Sequence, residues 1–316
     1  MKVYVTQGHE KGIGLEVFFK SCLMISSSDL SHLKLLAFKK SVINTLDTLS
    51  LSYNLDESFI NLSGIRIEVL WLEKKQTSES FTALELAMKL SESSGVLFTL
   101  PTSKDQFPGF PGHTEYFRSF YHREDLGMFF SSPGLQVLLL SDHVAVNELT
   151  ELMTEELIYI RLKTAIKALR QWNRPLKRIM VSGLNPHAGE KGLIGKEDER
   201  VTKAIKRLVR ELKIDMSGPF PGDTMLFEQD SPDDLLVYLF HDQGLGVFKS
   251  LRGFIGSNIT LGLPYPRFSP DHGTSFGLFG KNQADYRGCE FSLKESVKML
   301  KKVSHGKNSG NQGQGS

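Results

Sequence analysis

The chain alternates short apolar runs with longer segments in which apolar residues recur at helical spacing. The short runs have the length and β-branched content of buried strands, and they predict strands over Val3–Thr6, Ile65–Trp71, Gly95–Leu100, Gln136–Leu140, Arg178–Ser182 and Leu235–Phe240. The helical spacing predicts helices over Thr82–Glu92, His143–Trp172 and Lys196–Lys213. Alternation of this kind favours an α/β fold with a mainly parallel sheet covered by helices on both faces.

Length and composition limit the class of protein. With 316 residues the chain can form two domains or one large α/β unit. Its 40% hydrophobic residues, 23% charged residues and net charge of +2 argue against a disordered protein and against a nucleic-acid partner. The polar segment Thr45–Glu57 predicts a helix end and a loop, and the Gly-, Asn-, Gln- and Ser-rich tail 305–316 predicts disorder.

The cysteines and the hydropathy pattern predict a cytoplasmic protein. Cys22 and Cys289 lie far apart and outside any zinc-finger or C-x-x-C spacing, which favours a reducing compartment. The N-terminus enters a strand-like run directly, without the apolar region of a signal peptide. No apolar stretch is long enough to span a bilayer, so no membrane partner is expected.

Three histidines lie in separate polar turns, each after one of the predicted strands. His143 ends Ser-Asp-His, His187 lies within Asn-Pro-His-Ala-Gly-Glu, and His241 opens His-Asp-Gln-Gly. Ligands of parallel sheets bind beyond the carboxyl ends of the strands, so the three imidazoles are expected to converge at one edge. Neutral imidazole binds zinc and similar ions, and three protein ligands leave a position for substrate. The pattern predicts a divalent-metal site.

Each of these histidines also has a simpler interpretation. A single histidine in a turn is more often a hydrogen-bonded structural residue than a metal ligand. The prediction therefore depends on the trio and on the neighbouring carboxylates of Glu190 and Asp242, which can orient an imidazole.

Several further side chains are suited to an anionic ligand. Lys104, His113 and Thr114 lie on one long connection after a predicted strand, and Lys249 and Arg267 follow the third histidine. Lysine, arginine, histidine and threonine are the donors expected around a phosphate or carboxylate. The alternative is that the lysines and the arginine are solvated surface cations and that the prolines only make the connection rigid.

The sequence evidence for a nucleotide-binding site is weaker than that for the metal site. No G-x-G-x-x-G follows a predicted strand, and the glycines of Gly8–Gly14 have a different spacing, so an ordinary Rossmann domain is not expected. Asp271-His-Gly-Thr274 precedes a glycine-rich turn whose backbone amides can approach a nucleotide.

Together these motifs resemble the 4-hydroxythreonine-4-phosphate dehydrogenase family of vitamin B6 biosynthesis. The residues that carry the resemblance are Phe110-Pro-Gly-His-Thr-Glu115, Gly183-Leu-Asn-Pro-His-Ala-Gly-Glu190, Gly218-Pro-Phe-Pro-Gly-Asp-Thr224, His241-Asp-Gln-Gly244 with Lys249, Asn258-Ile-Thr-Leu-Gly-Leu-Pro264 with Arg267, and Asp271-His-Gly-Thr274. The resemblance implies two α/β/α domains with a cleft between them, as in isocitrate and isopropylmalate dehydrogenases, and a homodimer. The expected domains are 1–115 plus 260–304, with the cofactor turn, and 116–259, with the metal ligands and dimer contacts.

The resemblance also implies roles for individual residues. One divalent ion per site, zinc, magnesium or cobalt, is expected on His143, His187 and His241, which both chains contribute. The substrate contacts expected from the family are His113, Thr114, Lys249, Asn258 and Arg267. The adenosine part of NAD or NADP is expected at Asp271, His272, Gly273 and Thr274. Lys249 with Asp242 is the candidate pair for proton transfer, and Lys104 matches a family lysine without an assigned role.

The implied reaction is oxidation of the secondary alcohol of 4-phosphohydroxy-L-threonine. Hydride passes to NAD or NADP, and the β-keto acid then loses carbon dioxide to give 3-amino-2-oxopropyl phosphate. The chain departs from the family near its N-terminus, where His9, Glu10 and Lys11 replace an acidic residue, proline and alanine. Phe240 also replaces a tyrosine. A related four-carbon substrate, threonate or erythronate phosphate, is therefore an alternative.

Two other classes of function stay open. A metal-dependent hydrolase or lyase would keep the histidines and lack the redox step. A non-catalytic binding protein would account for the altered N-terminal loop, although it does not require three histidines that leave an open metal position.

Overall fold

The computed structural model describes residues 1–73 and 75–310 and consists of alternating strands and helices. The strands are β1 (Lys2–Thr6), β2 (Leu33–Ala37), β3 (Tyr53–Leu55), β4 (Phe59–Leu62), β5 (Ile65–Trp71), β6 (Gly95–Thr99), β7 (Gly127–Ser132), β8 (Leu135–Leu139), β9 (Ile179–Ser182), β10 (Met216–Phe220), β11 (Leu235–Tyr238), β12 (Ser257–Leu261) and β13 (Arg267–Pro270). The helices are α1 (Gly14–Cys22), α2 (Ser27–Leu30), α3 (Lys39–Leu49), α4 (Glu79–Ser94), α5 (His113–Tyr121), α6 (Leu149–Leu152), α7 (Glu155–Gln171), α8 (Asp198–Leu212), α9 (His241–Arg252) and α10 (Arg287–Gly310).

The chain divides into two compact units. Unit 1 contains Met1–His122, Phe254–Asn258 and the chain from Leu263 onward, and unit 2 contains Arg123–Gly253 and Ile259–Gly262. The boundaries expected from the sequence were at 115/116 and 259/260. Residues 116–122 and 254–258, expected in the second domain, lie in unit 1, and 260–262, expected in the first domain, lie in unit 2. Residues 305–310, expected to be disordered, continue α10, and 311–316 lie outside the described residues.

The sheet of unit 1 has the order β13-β6-β1-β2-β5-β4-β3. Its central strand β1 pairs in parallel with β2 and β6, so that Val3 lies opposite Leu33 on one side and Val96 on the other. These side chains are fully buried, as expected for continuous apolar strands covered on both faces. At one edge, β3, β4 and β5 form an antiparallel meander.

The sheet of unit 2 has the order β10-β9-β11-β8-β7. β10, β9, β11 and β8 are parallel, and β7 pairs with β8 as an antiparallel hairpin. β11 is in the middle, with Leu235 opposite Gln136 of β8 and Ile179 of β9. The buried core around these strands includes Phe130, Val137, Met180, Leu236, Tyr238 and Phe248.

The helices of unit 2 confirm one predicted element and correct another. α8 buries Val201, Ala204, Ile205 and Leu208, which is the spacing that predicted it. The predicted continuous helix His143–Trp172 is wrong, because α7 begins only at Glu155. The Thr154 hydroxyl accepts a hydrogen bond from the Leu157 amide at 3.2 Å and caps the helix there. His143 therefore lies in a loop.

The predicted strands are all present, with ends that differ by at most two residues. The sequence pattern missed the other strands, which are β2, β3, β4, β7, β10, β12 and β13. The segment Thr45–Glu57, predicted as helix end and loop, also contains β3, a short edge strand whose polar residues hide its alternation. None of the helices in residues 1–73 and 75–310 has the length and apolar character needed to cross a bilayer.

Candidate active site

The three histidines expected to bind metal follow three neighbouring strands of unit 2. His143 comes after β8, His187 after β9 and His241 after β11. β11 lies between β8 and β9 and is parallel to both. Because these strands run in the same direction, their carboxyl ends meet at one edge of the sheet. All three histidine-bearing segments thus start from this edge.

Two of the imidazoles lie side by side. The ring centroids of His143 and His241 are 5.5 Å apart. Nδ1 of His241 lies 2.7 Å from Oδ1 of Asp242. A proton on Nδ1 is donated to this carboxylate, and Nε2 is then left with the lone pair that binds a metal. The pair has the donor chemistry of an incomplete metal site.

Lys249, the other residue considered for proton transfer, lies two turns further along α9. Seven residues of helix separate it from Asp242, a rise of roughly 10 Å. The carboxylate of Asp242 bonds to its neighbour His241. A direct role of Asp242 is thus to orient an imidazole, and the proton-transfer role of the two residues stays a prediction.

His187 lies in an unusual turn. Residues 187 to 191 all have positive φ, between 43° and 73°, although only Gly189 among them is a glycine. Such a run is costly for residues with a side chain and persists only where the surroundings enforce it. The local sequence alone does not explain this conformation.

The side chain of Asp198 forms hydrogen bonds with the residues that precede this turn. Its carboxylate accepts hydrogen bonds from the Leu184 amide at 2.6 Å, the Asn185 amide at 3.3 Å and the Asn185 side chain at 3.0 Å. Asp198 is buried. No motif in the sequence indicated this role of Asp198, and the signal that could have done so is the spacing from Asn185 to Asp198 across the turn.

A complete three-histidine site is not formed within one chain. Among the described residues, no three His, Cys, Asp or Glu side chains are grouped so that they could hold an ion. His143 and His241 are neighbours, and His187 is not grouped with them. Two adjacent imidazoles, one already oriented by a carboxylate, nevertheless fit a divalent ion that takes a further ligand from elsewhere. The sharing of ligands between two chains stays a prediction.

Arg161 of α7, which no motif in the sequence indicated, supports the segment that carries His143. Its side chain is buried, and its guanidinium donates to the carbonyl oxygens of Leu140 and Glu124. The Leu140 carbonyl lies directly after β8 and three residues before the histidine. A buried guanidinium with backbone acceptors fixes the strand end because its fork of donors has a rigid geometry.

In unit 1, the interpretation of Arg267 as a solvated surface cation is wrong. The side chain is only 4% exposed, and Nε and Nη2 donate to the Thr99 hydroxyl at 3.0 and 2.5 Å. Burial lowers the pKa of Arg267 to about 10, which still leaves the guanidinium protonated at neutral pH. Burying a cation is unfavourable unless charged or polar groups compensate, so this guanidinium is suited to an anionic ligand.

His113 and Thr114 occupy the first turn of α5, and the preceding Gly112 makes no side-chain cap. Free amides at a helix N-terminus attract phosphate and carboxylate groups. The ring of His113 packs edge-on against Phe107 with centroids 4.8 Å apart. Burial, and secondarily the charge of Arg267, hold the pKa of His113 well below its usual range, so the imidazole is neutral at neutral pH. A neutral imidazole can both donate and accept here.

Asn258 is the fourth candidate substrate contact in unit 1. Its side-chain oxygen is buried and has no hydrogen-bond partner among the described residues. A buried polar atom of this kind is unusual and can accept a hydrogen bond from a ligand hydroxyl.

The turn expected to meet the cofactor packs against the N-terminal loop. The Ile13 amide donates to the Thr274 carbonyl at 3.0 Å, and a side-chain carbon at Gly12 would lie 3.4 Å from that of Thr274. Asp271 is buried, whereas Gly273 is exposed at the tip of the turn. The departures from the family at residues 9 to 11 therefore lie beside the predicted cofactor site.

His9 ties this loop to two other segments. Its Nδ1 accepts the Lys11 amide at 3.0 Å, and its ring meets that of Phe276 edge-on at 4.8 Å. Nε2 lies 3.3 Å from the Gln106 side chain, in the short 3-10 turn that begins at Lys104. Lys104 thus starts the segment that braces the loop.

The sequence of the chain matches a known protein family. The family model for the pyridoxal phosphate biosynthetic protein PdxA matches residues 21–299. The 4-hydroxythreonine-4-phosphate dehydrogenase of Sulfurihydrogenibium sp. (strain YO3AOP1) is 30% identical over 322 residues, which is 96% of this chain and 99% of that protein. The D-threonate 4-phosphate dehydrogenase of Cupriavidus necator is 33% identical over 229 residues, which is 70% of this chain and 68% of that protein.

Solved structures agree on the fold. The crystal structure of 4-hydroxythreonine-4-phosphate dehydrogenase from Klebsiella pneumoniae superposes with a TM-score of 0.80 at 24% identity, over 95% of this chain and 99% of that one. A β-decarboxylating dehydrogenase from Thermococcus kodakarensis has a TM-score of 0.56 at 12% identity, over 95% of this chain and 83% of that one. The predicted α/β fold class of the isocitrate and isopropylmalate dehydrogenase type is confirmed.

Proposed function

Because the chain belongs to the PdxA family of pyridoxal phosphate biosynthetic proteins, we propose that it oxidises the secondary alcohol of 4-phosphohydroxy-L-threonine. NAD or NADP takes the hydride, and the resulting β-keto acid loses carbon dioxide to give 3-amino-2-oxopropyl phosphate. The observation that carries the proposal is the pair of adjacent imidazoles, His143 and His241, at the carboxyl edge of unit 2. Relatives that span almost the whole chain are named dehydrogenases.

The proposed ligands of a divalent ion are His143, His187 and His241. Zinc, magnesium or cobalt bound there would lower the pKa of the substrate alcohol and polarise the ketone. The protein's own contribution is orientation. Asp242 holds Nδ1 of His241, Arg161 fixes the strand end before His143, and Asp198 holds the turn that carries His187.

Arg267, His113 and Thr114 are proposed to bind the phosphate and carboxylate groups of the substrate. Arg267 supplies a permanent charge in a buried position, where an ionic hydrogen bond is strong. The first turn of α5 supplies backbone amides and the Thr114 hydroxyl. His113 stays neutral beside the guanidinium and does not need a counter-ion. Asn258 offers its unpartnered oxygen to a substrate hydroxyl.

Residues 271 to 274 are proposed to bind the adenosine part of the nicotinamide cofactor. The cofactor accepts hydride, and the protein orients it. The contact between Thr274 and the N-terminal loop holds the turn in place. Lys249 and Asp242 are the residues proposed for proton transfer to and from the substrate alcohol.

D-Threonate 4-phosphate is a second candidate substrate. The relative from Cupriavidus necator carries that name, and residues 9 to 11 of this chain differ from the usual family pattern beside the predicted cofactor turn. The two substrates share the phosphate, the secondary alcohol and the carboxylate. 4-Phosphohydroxy-L-threonine has an amino group where D-threonate 4-phosphate has a hydroxyl. A change of one or two polar contacts in the protein can distinguish these two groups.

Purified protein is expected to reduce NAD or NADP in the presence of 4-phosphohydroxy-L-threonine or D-threonate 4-phosphate. A metal chelator is expected to abolish the reaction, because the ion is proposed to polarise the reacting oxygen. The measurement is the absorbance of the reduced nicotinamide, recorded with each cofactor and each four-carbon phosphorylated acid.

Re-addition of zinc, magnesium or cobalt after the chelator is the control, and it should restore the rate with at least one ion. Substrate consumption without cofactor reduction would favour a hydrolase or lyase instead. Binding of cofactor and metal without turnover of any acid in the panel would favour a non-catalytic binding protein.

We propose that two copies of the chain form the complete site as a homodimer. Val146, Leu193 and Phe227 of unit 2 are 79%, 84% and 82% exposed, and the first two lie on the loops that carry His143 and His187. Large exposed apolar side chains close to a site are typical of an interface.

Sedimentation equilibrium is expected to give twice the mass of one chain. Leu193→Asp should shift the protein toward the monomer and weaken metal binding, because a charge would be buried without a partner. Met24→Asp replaces a side chain that is 53% exposed in unit 1 and serves as the matched control. A wild-type protein that sediments as a monomer and still binds metal through all three histidines would contradict the shared site.

A further inference from the structure

Gln243 makes an unusual set of contacts for a residue in the first turn of a helix. Its side-chain oxygen accepts the Leu239 amide and the Ser182 hydroxyl, each at 3.0 Å. Its side-chain nitrogen donates to the Gly183 carbonyl at 2.9 Å. One amide group therefore bonds to the segments that follow β11 and β9.

The segment after β10 also packs against the side-chain amide of Gln243. A side-chain carbon at Gly222, two residues after β10, would lie 2.5 Å from the amide nitrogen of Gln243. The Gly183 amide also donates to the Phe220 carbonyl at 2.7 Å. The carboxyl ends of β9, β10 and β11 are thus held together around one glutamine, and a side-chain carbon at position 222 would force its amide to move.

The position of Gln243 relates it to two of the histidines. It lies two residues after His241 on α9, and its acceptor Gly183 lies four residues before His187. We infer that Gln243 is a positioning residue that holds the His187 and His241 segments in fixed places at this edge of the sheet, so that each imidazole is placed for the divalent ion that it binds. The inference rests on the metal site of the proposed function.

The amide is required because this position needs a donor and an acceptor at once. A glutamate has nearly the same shape, but as a carboxylate it accepts hydrogen bonds only and would set its charge against the Gly183 carbonyl. Methionine has a similar length and makes neither bond. Residues that orient metal ligands without touching the ion change metal affinity by roughly 10- to 100-fold when replaced.

The test compares the zinc affinity of the full-length wild-type protein with that of Gln243→Glu and Gln243→Met, by competition with a chromophoric chelator. Both variants are expected to bind zinc about 10- to 100-fold more weakly. The visible spectrum of bound cobalt should also change, because it reports ligand geometry. Gln229→Met is the matched control, since the Gln229 side chain also donates to two carbonyls of unit 2, those of Gly134 and Ser231. The zinc affinity of this variant should match that of the wild type.

A second pair of variants keeps the glutamine and disturbs its surroundings. Gly222→Ala would press a methyl group onto the amide and is expected to weaken zinc binding in the same way. Gly246→Ala lies on the same helix with no atom within 4 Å of the new carbon, and should bind zinc like the wild type. This pair decides the question even if the glutamine variants do not fold.

The outcomes separate this inference from the proposed function. Wild-type zinc affinity and an unchanged cobalt spectrum in the Gln243 variants, or in Gly222→Ala if those do not fold, would overturn the positioning role and leave the metal site intact. A wild-type protein that binds neither zinc nor cobalt would overturn both the metal site and the inference. Weaker zinc binding in the Gln243 and Gly222 variants, with unchanged binding in the two control variants, supports both the metal site and the positioning role.

Discussion

Replacement of His241 by alanine is expected to abolish tight metal binding and to lower kcat by more than about 100-fold. His241 is proposed to be a direct ligand, and even residues that only orient ligands cost roughly 10- to 100-fold in affinity or activity. Its ring lies 5.5 Å from that of His143, and Asp242 holds its Nδ1. Removing the ring removes a donor that is already oriented. Zinc stoichiometry and steady-state rates measure the effect.

His32→Asn provides the comparison for the loss of a histidine elsewhere. His32 follows α2 in unit 1, where burial and then the charge of Lys301 lower the pKa of its imidazole. This variant should retain wild-type zinc content and rate. A His241→Ala protein with full metal content and an unchanged kcat would show that the imidazole is a structural residue of its turn.

Replacement of Arg267 by methionine is expected to lower kcat/KM by about 30- to 1000-fold, which corresponds to roughly 2–4 kcal/mol. The buried guanidinium is proposed to pair with an anionic group of the substrate, and its loss leaves that group without its charged partner. Most of the effect should appear in KM if Arg267 binds the ground state and the transition state equally. Arg267→Lys should recover only part of it, because lysine keeps the charge and lacks the forked geometry.

The methionine variant is expected to fold. Apolar residues of similar volume often replace buried ionic groups with little loss of stability. A thermal unfolding scan checks this point. Arg66→Met is the control, because Arg66 is an exposed arginine that lies over the ring of Phe59, 3.5 Å from its centroid. An Arg267→Met enzyme with wild-type KM and kcat would exclude contact with the substrate.

The sequence predicted six of the strands, and these include the central strands β1 and β11. Ile65–Trp71 has the predicted bounds, and the segments before the three histidines are strands as expected. These elements are short runs of apolar residues that the fold buries, so they are easy to recognise in the sequence. Seven strands were missed, among them the buried β2 beside β1 and the edge strand β3, and so was the start of α7. In β3 and around the start of α7 the apolar signal is weak, and capping by Thr154 determines where the helix begins.

The candidate site could be predicted only in part. The motifs identified the histidines and the anion-binding residues, because imidazole and guanidinium groups in polar turns have few common uses. They did not show that Arg267 is buried, since burial depends on what packs around β13. They also did not show that His187 stays apart from the other two histidines within one chain.

The sequence by itself determined the fold class, the family resemblance and the chemical groups available to the site. The tertiary structure decided the order β9-β11-β8, which makes the three histidine-bearing segments neighbours. It also decided the roles of Asp198, Arg161 and Gln243, which bond to backbone groups far away in sequence. The physical reason is that hydrogen bonds between strand ends depend on which strands are adjacent, and local periodicity carries no information about strand order.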